Sequence, residues 1–60
     1  MEAVRRVVGN HSILFLLNHR PAAVDVPLAQ AGANLVDGAQ VHAGLFRLGP
    51  YGAAVIREGW

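Results

Sequence analysis

The apolar positions of this chain fall in short stretches cut every several residues by glycine or proline, and within most stretches they alternate with polar ones. Such spacing predicts strands, because successive side chains on a strand point to opposite faces. Residues 3–8 are rich in valine and lead into Gly9-Asn10, whose first glycine suits a type II′ two-residue hairpin turn. A second strand over 12–18 is therefore expected to fold back on the first. It is apolar at both parities, with Leu14 and Leu16 on one side and Ile13, Phe15 and Leu17 on the other, so burial on both faces is expected. Arg20-Pro21 marks a bend. Residues 23–28 alternate, with Val24, Val26 and Leu28 inward and Asp25 outward, and Pro27, which has no N–H for a ladder, places this strand at an edge.

A loose stretch over 29–32 precedes a short strand at 33–36, closed by Asp37-Gly38 as a hairpin turn. Residues 39–42 return, 44–48 form the next strand, and Gly49-Pro50-Tyr51-Gly52 has the residue pattern of a type I turn. Residues 53–57 make the last strand, with Val55 and Ile56 on opposite faces. The expected result is one all-β domain over 1–60, a small antiparallel β-sandwich or partly open barrel of six to seven short strands. A helix over 12–18 is the rival reading. It is disfavoured because the segment is short, lies between turn signals, and is flanked by valine-rich stretches that form helices poorly.

Composition narrows the picture. Sixty residues hold one small core, and with no cysteine neither a disulfide nor a cysteine zinc cage can reinforce it. Tight packing, self-association or attachment to a larger body must contribute the rest. A hydrophobic content of 53% against 15% charged residues excludes a disordered chain. The net charge is only +1, and Arg5 and Arg6, the adjacent basic pair, point to opposite faces of a strand, which argues against a nucleic-acid partner. The longest strictly apolar run, 13–17, is too short to cross a bilayer, and no basic segment with an apolar core opens the chain. A soluble, cytoplasmic protein without a membrane partner is expected.

The order of these features resembles a known family. A turn, then Ile13-Leu14-Phe15-Leu16-Leu17-Asn18-His19, a valine-alternating strand, Asn34-Leu35-Val36-Asp37-Gly38, and finally Leu48-Gly49-Pro50-Tyr51-Gly52-Ala53-Ala54-Val55-Ile56 is similar to the C-terminal β domain of family-42 glycoside hydrolases, the β-galactosidases. The resemblance runs from about residue 4 to residue 57. Asp37 stands where threonine is common in the family, and Asp-Gly turns the chain at least as well. The resemblance implies a non-catalytic accessory domain, appended to a catalytic (β/α)₈ barrel and a middle domain involved in trimerisation. The two catalytic glutamates of the family belong to the barrel, so no catalytic residue is carried over here. The implied partner is the remainder of the parent chain, whose barrel would hydrolyse terminal β-D-galactosides; weak self-association of the isolated piece is a further expectation.

The residues themselves agree with a structural role. Glycoside hydrolysis needs two carboxyl groups about 5 Å or about 6.5–9.5 Å apart. The acids are Glu2, Asp25, Asp37 and Glu58; Asp37 serves a turn and Asp25 points outward, while Glu2 and Glu58 sit at chain ends where positioning is expected to be poor. His11 and His19 bracket one strand, roughly 26 Å apart at about 3.3 Å per residue, and His42 lies far along the chain, so no metal site is expected, and no cofactor. Ser12 lacks the surroundings of a nucleophile. Asn10-His11-Ser12 matches a glycosylation acceptor in form, but the turn accounts for it. Asn18 ends an apolar strand and is expected to satisfy backbone groups of the 18–21 bend. Tyr51 is expected to pack over the sheet end. The alternatives to an accessory domain are an unrelated self-associating β domain and a carbohydrate-binding module in which Tyr51, Trp60 and Asn18 would contact sugar.

Overall fold

Gly9 adopts φ +60° while Asn10 stays at negative φ, the signature of the type II′ turn that the glycine permits. In this computed structural model, which describes residues 1–59, that turn joins β1 (Glu2–Val8) to β2 (His11–Leu17). The two pair without interruption from Val8 opposite His11 to Glu2 opposite Leu17. After the bend come β3 (Val24–Leu28), β4 (Gly32–Asn34), β5 (Gln40–Val41), β6 (Gly44–Leu48) and β7 (Ala53–Glu58). The chain makes two antiparallel sheets, one ordered β1-β2-β7-β4-β5 and one of β3 and β6. No helix occurs among the described residues. Of the two architectures expected, a sandwich or a partly open barrel, the chain adopts two antiparallel sheets not closed into a barrel, and Pro27 lies on a strand with a single neighbour, as its missing N–H requires.

The core lies between the sheets. Leu14, Leu16, Ala54, Ile56 and Val41 project from the large sheet toward Val26, Leu28 and Leu48 of the small one, with Val24 and Phe46 packed at the margin. Ile56 is fully buried because β7, last in sequence, is inserted between β2 and β4 and so has covered neighbours on both sides. Close approach at β4 explains Gly32: a Cβ there would overlap the Arg57 carbonyl oxygen of β7.

Three expectations are corrected. Strand β2 is buried on one face only: Phe15 and Leu17 remain 41% and 40% exposed, because the small sheet covers the inner face and nothing in the described chain covers the outer one. The Asp37-Gly38 pair does not form a two-residue turn. Leu35 N–H donates to the Val55 carbonyl at 2.7 Å, holding the chain on β7 past Asn34, and the reversal is delayed into 35–38, where Gly38 N–H donates to the Asn34 carbonyl at 2.7 Å. Asp37 Oδ1 then accepts from Ala39 N–H at 2.9 Å. The Gly49–Gly52 turn closes with a 2.9 Å bond, but Tyr51 has φ +53°, which makes it type II and not type I. In a type II turn the central peptide is flipped, and here the flip sends Tyr51 N–H to the Arg20 carbonyl at 3.0 Å.

That corner is held by Asn18, which is 1% exposed. Its Nδ2 donates to the carbonyls of Ala22 and Gly49, each at 2.9 Å, and lies 3.5 Å from that of Leu48; its Oδ1 accepts from Arg20 N–H at 3.0 Å. Its own N–H donates to Gly52 at 2.8 Å, continuing the β2–β7 ladder. Replacing Asn18 by alanine leaves several buried backbone groups without partners, and a loss of about 2–4 kcal/mol is expected in urea unfolding. An unchanged unfolding midpoint would show that water substitutes for the amide.

Candidate functional site

The strand pattern sorts the large sheet into an inner face, used by the core, and an outer face. Three rows cross the outer face of β1, β2 and β7: Glu2, Leu17 and Ala53; Val4, Phe15 and Val55; Arg6, Ile13 and Arg57. The first two rows line a shallow apolar depression of about 280 Å³. Phenylalanine, leucine and valine are thus uncovered on this face, with charges at either end. At the basic end, Arg57 Nη2 lies 3.4 Å from His11 Nε2. A second depression of about 440 Å³, under the β4–β5 loop, is lined by polar groups that include Asp37, Gln40, His42 and Arg47.

Of the candidate sugar-contacting residues, Asn18 and Tyr51 border the same turn, one enclosed and the other exposed. Asn18 is enclosed, its amide occupied by backbone partners. Tyr51, expected to pack, is instead 66% exposed in its turn, where its backbone takes φ +53°. Trp60 lies outside the described residues.

Each carboxylate has a local role. Glu2 lies 3.0 Å from His19 on the surface, Asp25 lies 3.4 Å from Arg47, and Asp37 caps its turn. Glu2 and Glu58 occupy opposite ends and opposite faces of the sheet, five register rows apart, roughly 17 Å at about 3.3 Å per residue. Among the described residues no group of three His, Asp or Glu side chains is placed to hold a metal ion.

Glu58 departs most from the sequence reading. Far from being loosely placed, its side chain is 3% exposed and gripped side-on by Arg5, Nε to Oε1 at 2.7 Å and Nη2 to Oε2 at 3.0 Å. Ser12 Oγ donates to Oε1 at 2.8 Å. The Arg5 hydrogen bond holds the Glu58 carboxyl below the usual carboxylate range, with the Ser12 bond and the Arg5 charge adding to it and burial opposing. No motif announces this cluster, since its members are 46 and 53 residues apart and meet only through the β1-β2-β7 order. A depressed folded value means that the stabilisation is complete above the unfolded carboxylate range and is lost as pH falls through the folded one. The urea midpoint is therefore expected to decline as pH drops below about 4. Glu58→Gln should lower stability at neutral pH by about 1–3 kcal/mol and flatten that acid limb; a wild-type midpoint level down to full protonation would contradict the coupling.

The family model described as the β-galactosidase C-terminal domain matches residues 1–58, which include all seven strands. No curated protein and no solved structure matches the chain significantly. With the family model covering nearly its whole length, the chain belongs to the β-galactosidase C-terminal domain family.

Proposed function

We propose that this chain is the non-catalytic accessory domain of a β-galactosidase, whose separate barrel domain would hydrolyse terminal β-D-galactosides. In this reading the outer face of β1, β2 and β7 abuts the remainder of the parent chain. The observation that carries the proposal is Phe15: a large aromatic side chain, in a strand that matches the family, left half-uncovered in the middle of an apolar row. Burying such a row against a neighbouring domain contributes about 25 cal/mol per Å² of apolar surface removed from water, which a core of this size needs. The separation and local engagement of the carboxylates support a role without bond cleavage.

The test uses the whole gene product that carries this chain. Phe15→Glu in that protein is expected to lower the melting temperature or loosen the assembly while leaving kcat/KM of the intact fraction within about twofold. Turnover of a nitrophenyl β-galactoside by the purified 60-residue chain would overturn the reading. So would an adjoining coding region without a catalytic barrel.

The exposure and positive φ of Tyr51 favour a second reading, in which the ring is a sugar-stacking platform, with Trp60 as its proposed companion. Galactose or lactose would then move amide resonances clustered around Tyr51. Tyr51→Gly, which relieves the left-handed strain, should raise stability by about 0.5–1 kcal/mol and abolish those shifts. Flat spectra for the wild-type chain reject the platform.

A further inference from the structure

Strand β1 closes one side of the five-stranded sheet, and every one of its residues is exposed. The two-residue turn makes Val8 and His11 a hydrogen-bonded pair, so alternation along the ladder directs the backbone groups of Glu2, Val4, Arg6 and Val8 toward β2. Those of Ala3, Arg5 and Val7 face outward. The same alternation appears across β2, where the next even position, Asn18, donates to Gly52 at 2.8 Å. Natural edges are usually blunted by proline, a bulge or charged side chains. β1 has no proline and a continuous register, and of its three charges Arg5 is paired with Glu58, leaving Glu2 and Arg6, of opposite sign, on the outer face.

We propose that β1 pairs antiparallel with β1 of a second copy of this chain, about a two-fold axis at Val4, joining the two large sheets into one. Such an axis is perpendicular to the sheet, so outer face continues into outer face and only positions of like parity stand opposite. Charge then selects the register. An axis at Arg5 or Arg6 sets an arginine against its own copy, an axis at Glu2 does the same with a carboxylate, and axes at Ala3 or Val7 leave little overlap.

At Val4, each Glu2 faces the copy's Arg6. Ala3 and Arg5 of one chain exchange backbone bonds with Arg5 and Ala3 of the other, using the outward groups. Val4 meets Val4, so the Val55-Phe15-Val4 row runs on into its counterpart. The small sheet leaves room, since Ala3, Arg5 and Val7 on the inner side of β1 are exposed and so not covered by it. Glu2 gives up only a surface contact with His19. Arg5 keeps its side chain on Glu58 and contributes its backbone alone.

Sedimentation equilibrium of the chain from micromolar to millimolar concentration, paired with amide hydrogen exchange, tests this. A monomer–dimer equilibrium is expected, with the Ala3 and Arg5 amides gaining protection as dimer forms. Glu2→Arg should weaken the dimer about tenfold, and adding Arg6→Glu should restore it to within about threefold. Ala3→Pro, which removes an outward N–H unused in the monomer, should abolish it. A chain monomeric at millimolar concentration overturns the proposal. So does a dimer in which the Ala3 and Arg5 amides stay unprotected, or one in which the double exchange associates no better than Glu2→Arg.

Discussion

The side-chain amide of Asn18 joins two parts of the chain that the sheets alone would leave apart. It sits where β2 ends, where the chain departs for the small sheet, and where β6 returns through the Pro50-Tyr51 turn into β7. One buried side chain thereby satisfies carbonyls on both sides of the crossover. In a protein with so little core, a buried polar group has large leverage: paired, it specifies one corner geometry, and unpaired it would cost a sizeable part of the total stability. The turn type follows from the same corner. Tyr51 accepts a backbone conformation that L-residues avoid because its N–H has a partner in Arg20 only that way round.

At the other end of the sheet, the Glu58 carboxylate does for β1, β2 and β7 what Asn18 does for the crossover. Arg5 and Ser12 reach it from neighbouring strands, so the edge strand is tethered by an ion pair where it has no second layer to pack against. The pair is favourable because both carboxylate oxygens are engaged and the guanidinium remains half in water, which avoids desolvating two charges at once. Between these two polar anchors lies an apolar core one residue deep from each sheet.

Because the second layer is a two-stranded sheet, it covers β2 and β7 on one side and leaves the opposite face and all of β1 open. That asymmetry generates both surfaces of interest, the apolar outer rows and the unpaired edge. The apolar residues of the outer rows were visible in the sequence but not their exposure, and the open edge of β1 had no signal there. Phe15 and Leu17 read as core because no local pattern tells a covered face from an uncovered one when both carry large apolar residues.

What the residues determined unaided is the part governed by nearest neighbours. Gly9-Asn10 set the first hairpin, Pro27 set an edge, the parity of Val24, Val26 and Leu28 set the inward side of β3, and the succession of turns set an all-β antiparallel fold of short strands, sandwich or partly open barrel. Tertiary structure decided whatever depended on a distant partner. Val55 held Leu35 and so lengthened the Asp37-Gly38 loop, Arg20 flipped the Tyr51 peptide, Arg5 fixed Glu58, and the small sheet chose which face of β2 to bury. The division has one physical cause: backbone sterics act over two or three residues, whereas hydrogen-bond satisfaction and burial are settled only when strands remote in sequence are brought side by side.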